Sequence, residues 1–598
     1  MIKELLNNFG KYFEDEKVVL SSYKLQNGIY YLFSKDGNLI NKLEVSKDTD
    51  NSSSIYQYFK VRDFYSNYID SNKAVENSVK EKYDNIEYSM NKKICSNNHL
   101  TLFFKNKFVQ GISGKINDKD AVPVQIFKNG INEYFKSLAN LGENSKKGEK
   151  EIIENITNII SEKEDIYSNK DNLQNSFDKV IDDLKSKEDI KYDIWIKVFT
   201  EASIEEYEKA SNKYIALKLF NKNDNNVVIN NEIYGINNYN FGLNSKKPFL
   251  ELKSTPYKIG LIGSDEIRKT RNLYTWLLKN CSVKNYTLIP VDFDFKTDLY
   301  EKREIDNKSV YLMRVINDNG NAKVEDFEII PRYSTKIRRF ECDNYINNKL
   351  NLDNIYINTE FINELESFVS EIWFSKYLIQ SYYNFKDSVS KAKIQEWKKN
   401  VLKRYSKIFR ELFLKEDPTL FKQNLDKIAS EITICMLKDE ISKKQYFNAS
   451  KSMCLWIALD SYFQDKEMNL NMKINNTIEK AKEIAKNSGT INDDKLYYFL
   501  VGQVTYYLVS LSRASSLKQD IIEPIIKSNN ILKLKSSLQF LHNKYKHEIY
   551  LKNEKFNNIF SQILLNEPDE SVKENTDMIL SGILSKNIFF ESIKEEEN

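Results

Sequence analysis

At 598 residues the chain is too long for one compact core, and its length alone divides into roughly three or four domains. Hydrophobic residues make up 41% and charged residues 29%, which describes a globular protein and excludes a disordered or fibrous one. The net charge of +3 excludes a uniformly basic coat, so any nucleic-acid surface must be a local patch.

Five cysteines (Cys95, Cys281, Cys342, Cys435 and Cys454) stand singly with no CxxC pair, which argues against a zinc clasp and points to a reducing compartment. The opening residues carry acids early and lack the apolar centre of a secretion signal. No run reaches the roughly 20 apolar residues that span a bilayer. A cytoplasmic protein with no membrane partner is expected.

In chain order, Ile2, Leu5, Leu6, Phe9 and Phe13 recur at helical spacing and predict a short amphipathic helix over residues 1–13. GIYYLFS and NLINKLEV, joined by Asp36 and Gly37, predict a β-hairpin. Residues 55–68 are aromatic-rich and predict a helix. Residues 93–105 (KICSNNHLTLFFK) set a polar turn before an apolar strand, and Asn97 and Asn98 there suit a turn that needs unusual backbone angles. A helix over 122–141, a solvated linker (GENSKKGEK) and a long helix over 149–184 follow, the charges of the last reading as a wet face. Residues 192–200 read as a strand. Ser203 with Glu206 three residues on is a capping box that starts another helix. The Asn-rich segment 221–240 reads as a loop.

Residues 239–274 (YNFGLNSKKPFLELKSTPYKIGLIGSDEIRKTRNLY) break this pattern. Gly242, Gly260 and Gly263 with Pro248 and Pro256 turn the backbone repeatedly, which predicts a basic Gly/Pro loop. Lysines and arginines alternate there with Phe241, Phe249, Tyr257 and Tyr274. Cations for phosphates beside rings for bases suit a nucleic acid, and they also suit an ordinary basic loop.

Further on, 285–295 (NYTLIPVDFDF) reads as a buried strand, and 311–330 as a second hairpin turning at Asn319 and Gly320. Residues 331–340 (PRYSTKIRRF) form a second basic-aromatic patch. After about residue 355 the breakers thin to Gly489, Gly502, Gly582, Pro418, Pro524 and Pro568, and helical periodicity is sustained. That predicts a helical bundle with its aromatic stripes as core. The expected fold is therefore α+β: a mixed α/β N-terminal domain (1–145), a central α/β region (146–354) with β-hairpins, and an all-α C-terminal helical bundle (355–598).

Catalytic motifs are scarce. There is no P-loop, no GxSxG elbow and no HEXXH, and the histidines His99, His542 and His547 share no helix face. Asp292, Asp294 and Lys296 would share one side of a strand and could hold Mg²⁺ beside a phosphodiester. The plainer reading is a solvated strand end, because no third acid accompanies them. Neither a catalytic site, a metal nor a cofactor is expected.

FGLNSKKPFLELKSTP resembles the GLN-[AS]-KKP-[FY] block of the large subunit of the subtype I-B CRISPR interference complex, Cascade. The opening IKELLNNFGKYFEDEKVVLSSYKLQNGIYYLF resembles the start of clostridial-type members, and KKICSNNH before LTLFF resembles their K-x-I-x-S-N-N segment. Length and the order of a mixed part before a helical tail agree. The resemblance implies a non-catalytic subunit that recognises the protospacer-adjacent motif in target dsDNA, stabilises the crRNA-guided R-loop and recruits a helicase-nuclease effector. Guide pairing would read the sequence while protein reads a short motif and shape, a division described for another effector. The implied partners are crRNA, target dsDNA, the Cascade backbone and handle-capping subunits, and a small helical subunit. That small subunit can arise by internal translation of the C-terminal part, with Met436, Met453, Met468 and Met472 as possible starts, although each also reads as an ordinary core or surface methionine. Some members carry cysteine pairs for zinc; this chain has none, so no metal is carried over.

On this footing, Asn244, Lys246, Lys247, Lys253 and Lys258, then Arg268, Lys269 and Arg271, are the candidates for motif and phosphate contacts. Asn97 and Asn98 would add minor-groove amides. Arg332, Lys336, Arg338 and Arg339 would hold handle RNA or displaced strand. Two other expectations stand beside this one: a metal-dependent nuclease using Asp292 and Asp294, and a helical scaffold that binds only protein.

Overall fold

The computed structural model describes residues 2–13, 17–67, 80–83, 86–89, 93–110, 121–139, 163–186, 193–218, 227–229, 232–236, 261–281, 285–295, 304–318, 321–346, 356–383, 385–443, 446–464, 469–487, 489–514, 519–549 and 553–590. The chain forms two compact units, Met1–Glu301 with Tyr311–Ile329, and Lys302–Val310 with Ile330–Asn598. The fold is α+β, with the strands early and helices dominating the second unit.

The first unit opens with α1 (Ile2–Phe9), which tightens into a 3₁₀ turn (Gly10–Phe13) and buries Leu5, Leu6, Phe9 and Phe13. After α2 (Lys17–Ser22) comes the expected hairpin of β1 (Gly28–Phe33) and β2 (Leu39–Val45). Gly37 makes the reversal with φ of 76°, a left-handed angle that side chains with a Cβ resist. Next are α3 (Ser54–Ser66), the pair β3 (Lys80–Tyr83) and β4 (Ile86–Ser89), and β5 (Thr101–Lys105). Helices α4 (Ala121–Ala139) and α5 (Lys163–Lys185) pack together, with Phe127 and Phe177 stacked at 5.2 Å. Strand β6 (Trp195–Thr200) leads into α6 (Ile204–Lys218), which begins with the expected capping box. Ser203 N–H donates to Glu206 Oε2 at 2.7 Å, and Glu206 N–H to Ser203 Oγ at 3.2 Å.

The main sheet has the order β2-β1-β6-β5, with β1 parallel to β6 and the other pairs antiparallel. Because β6 completes a sheet begun by β1 and β5, the first unit runs straight across the expected division at 145/146. Strand β1 is buried along its whole length, as its unbroken apolar run requires in the middle of a covered sheet. The Asn-rich segment is not only a loop: β7 (Val227–Ile229) and β8 (Glu232–Ile236) lie in it and form a sheet with β9 (Leu261–Gly263). There the short VVI and EIYGI runs pair across the sheet, overriding the turn preference of the asparagines around them. Helix α7 (Ser264–Asn280) and β10 (Thr287–Pro290) follow, and β10 joins the second hairpin, β11 (Lys308–Asp318) and β12 (Asn321–Tyr333).

In the second unit β13 (Lys336–Cys342) pairs antiparallel with β14 (Ile357–Phe361), and the chain then turns helical. Its longer helices are α8 (Ile362–Phe374), α9 (Glu396–Lys415), α10 (Thr419–Ile441), α11 (Phe447–Phe463), α12 (Leu470–Asn487), α13 (Asp494–Ser510), α14 (Ile531–Tyr545), α15 (Glu554–Leu565) and α16 (Thr576–Leu584). Two of the rare glycines explain a close helix crossing. A Cβ on Gly502 of α13 would lie 2.2 Å from the Ile579 carbonyl oxygen of α16, and one on Gly582 would lie 2.1 Å from that of Phe499. Met436 and Met453 are core residues, Met472 is half-exposed, and Met468 lies outside the described residues. Among the described residues no helix is long and apolar enough to cross a membrane.

Candidate nucleic-acid interface

The first half of the Gly/Pro block falls in sequence between two paired strands. Ile236, ending β8, and Leu261, opening β9, are register partners, so residues 237–260 leave and return at one point of the sheet. Asn244, Lys246, Lys247, Lys253 and Lys258 fall within that connection and lie outside the described residues.

The loop expected to continue to residue 274 does not do so: Leu261–Gly263 is strand β9, and the chain from Ser264 onward is helix α7. Thr270 through Leu277 are all buried, so α7 is a core helix and not a surface one. Trp276 packs edge-on to Phe295 at 4.7 Å, and the Asn272 amide donates to the Phe13 carbonyl at 3.2 Å. This corrects the role expected of Arg271. It is 2% exposed, with its guanidinium 5.3 Å from the centre of the Phe64 ring, and a cation so enclosed offers no contact to a surface phosphate. Lys269 is half-buried, and its stem runs beside Gly10. Arg268 belongs to the same helix.

Asn97 and Asn98 are likewise buried, and their work is to shape the turn before β5. The Asn98 amide donates to the Tyr207 carbonyl at 2.9 Å, its Oδ1 accepts from Leu100 N–H at 3.0 Å, and its carbonyl accepts from the Tyr134 hydroxyl at 2.8 Å. Asn97 N–H donates to the Ser66 carbonyl at 3.0 Å. A carboxamide with no solvent exposure cannot reach a minor-groove edge, so the turn accounts for Asn98.

Arg332, Lys336, Arg338 and Arg339 are all exposed on β12 and β13. A register shift between Lys336 and Phe340 lets the adjacent Arg338 and Arg339 both face solvent. The patch is partly neutralised. Lys336 pairs with Glu304 at 2.7 Å, and Arg339 lies 3.7 Å from Glu341 and donates to Asn358 at 2.9 Å. Arg338 donates to the Tyr462 carbonyl and stands 4.9 Å from that ring. Arg332 has no carboxylate partner among the described residues.

The strand that was to align Asp292 with Asp294 stops at Pro290. A turn follows, in which Phe293 N–H donates to the Pro290 carbonyl at 3.0 Å and Phe295 takes φ of 59°. Phe293 and Phe295 enter the aromatic core, 4.7 Å apart, and this packing rather than strand alternation sets the path of the acids between them. Lys296 lies outside the described residues, and no group of three metal-ligating side chains occurs among those described.

Among the described residues of the first unit, the most enclosed charges are Asp63 on α3 and Lys197 on β6, both without solvent exposure and paired at 2.6 Å. The other Asp63 oxygen accepts from the Tyr23 hydroxyl at 2.5 Å. Burial pushes the Lys197 ammonium below its ordinary pKa, with Asp63 opposing, and burial raises the Tyr23 phenol well above its own. Asp63 also acts on Lys279, and Lys24 acts on both Lys279 and Lys60, which brings together three lysines that sequence proximity does not connect. No protein-family model matches the chain, and neither does any curated protein sequence.

Proposed function

We propose that the chain is a non-catalytic large subunit of a type I-B CRISPR interference ribonucleoprotein. In this role it recognises the protospacer-adjacent motif in target dsDNA, stabilises the crRNA-guided R-loop and recruits the helicase-nuclease. The observation that carries the reading is the FGLNSKKPFLELKSTP block, with its resemblance to that family. Its position supports the same reading: the block lies in a connection tethered at Ile236 and Leu261 and followed by the core helix α7, a rigid base for a recognition element.

The chemistry follows from the side chains. Lys246, Lys247, Lys253 and Lys258 neutralise phosphates, which fixes register and makes binding fall with salt. The Asn244 amide, with a donor and an acceptor, is suited to a base edge. Arg332 and the bulged Arg338–Arg339 pair offer a second cationic surface for handle RNA or displaced strand. Sequence discrimination along the target belongs to the guide. Met436 and Met453 are packed as core residues, so a shorter product beginning at either would start inside the bundle's own packing.

Co-expression with a crRNA array and the accompanying complex subunits, followed by purification through a tag on this chain, tests the assignment. RNA of uniform crRNA length and stoichiometric partner subunits are expected to co-purify. Recovery of partner proteins with no RNA would contradict it and favour a protein-only scaffold.

A further inference from the structure

We propose that Lys24, Lys60 and Lys279 form a phosphate-binding site on the first unit, occupied by the backbone of a nucleic-acid strand. The three come from separate elements that pack together: Lys24 follows α2, Lys60 lies on α3 and Lys279 on α7, and α2 contacts both other helices. The side chains of Lys60 and Lys279 end at the short segment that carries Lys24. Lys60 Nζ donates to the Ser21 carbonyl at 3.3 Å, Lys279 Nζ stands 5.3 Å from the centre of the Tyr23 ring, and Lys24 is the next residue, exposed.

None of the three has a carboxylate within ion-pair distance among the described residues. The acid that does act on Lys279 is Asp63, and it is already engaged by Lys197 at 2.6 Å and Tyr23 at 2.5 Å. One carboxylate thus serves the ammonium groups of both Lys197 and Lys279, and none acts on Lys60. Burial and then Lys24 lower the Lys60 pKa; burial lowers that of Lys279, with Asp63 opposing and Lys24 adding to the fall. Flexible like charges gathered without a counterion repel one another, and a phosphate relieves that repulsion. Ammonium groups meet it as point charges and need no planar geometry. The need for an anion stands on this geometry alone. The choice of a strand over a free phosphate rests on the nucleic-acid function proposed above.

The test compares the full-length protein with Lys24→Gln/Lys60→Gln/Lys279→Gln. Anisotropy with a labelled oligothymidylate over a range of salt is read beside thermal melting with and without pyrophosphate. The site predicts at least tenfold weaker oligonucleotide binding by the variant, and a log–log salt slope shallower by about 2. It also predicts an unliganded melting temperature equal to or above wild type, because the repulsion is gone. Equal affinity and slope in both proteins overturn the site while leaving the nucleic-acid function intact. If wild type ignores the oligonucleotide but pyrophosphate stabilises it and not the variant, the phosphate site stands and the strand is overturned as its occupant. No effect of either ligand, or a lower melting temperature for the unliganded variant, overturns the site.

Discussion

In the first unit the buried carboxylate Asp63 meets the ammonium of Lys197 at 2.6 Å, while the surface lysines Lys24, Lys60 and Lys279 have no carboxylate at ion-pair distance among the described residues. In the second unit Glu366 is buried with the Tyr382 hydroxyl at 2.9 Å and no cation among the described residues, while the surface cations Lys336 and Arg339 lie beside Glu304 and Glu341. The contiguous patch PRYSTKIRRF thus has two of its four cations beside acids, while none of the three dispersed lysines has one at ion-pair distance among the described residues. Cation density along a sequence is a poor measure of electrostatic potential. What counts is the acids that folding brings alongside.

The contrast between the two buried carboxylates can be broken first. Asp63→Ala would leave Lys197 charged and enclosed, and is expected to cost about 3–5 kcal/mol in chemical denaturation. Asp63→Leu with Lys197→Met removes both charges and is expected to recover most of that loss; equal damage from both would show that packing, not charge, is responsible.

Glu366 sharpens the same contrast through pH. Burial raises its pKa to about 7, with the Tyr382 hydrogen bond opposing. The native state holds this proton up to about pH 7, whereas the unfolded chain releases it near the ordinary value of 4.5. Stability therefore falls as pH rises between the two values, by up to about 3 kcal/mol. Glu366→Gln keeps the bond from Tyr382 and is expected to raise the melting temperature above pH 7 and leave it little changed at acid pH.

At the surface, Glu304→Gln/Glu341→Gln removes two counterions from the second patch. Binding of a single strand there is expected to strengthen, with a salt slope steeper by about 1 to 2. An unchanged slope would mean that the patch takes no part in binding. The smallest effect belongs to Gly37→Ala, which forces a Cβ into a left-handed turn and is expected to cost about 1 kcal/mol with no change in nucleic-acid affinity.

Local signals carried far. The Asp36-Gly37 hairpin, the Ser203–Glu206 capping box and the breaker-poor helical region are each written within a few residues, and each is present in the fold. Long-range packing was not legible. Arg271 lies among lysines and turns in the sequence, yet α7 carries it under Phe64. Asp292 and Asp294 alternate as strand residues do, yet Phe293 and Phe295 pull the chain into an aromatic core. Strand β6 joins β1 across more than 160 residues, which hid the first unit's true extent. No local pattern links Lys24, Lys60 and Lys279 either, because only the packing of α2 against α3 and α7 brings them together.

The central claim is most directly tested by target-duplex binding to the reconstituted crRNA complex with and without this chain. Correct and scrambled adjacent motifs would be compared at two salt concentrations. Motif-dependent binding that appears only with the chain, and is lost with Lys246→Ala/Lys247→Ala, is the predicted result. Undiminished discrimination by the complex that lacks the chain would contradict it.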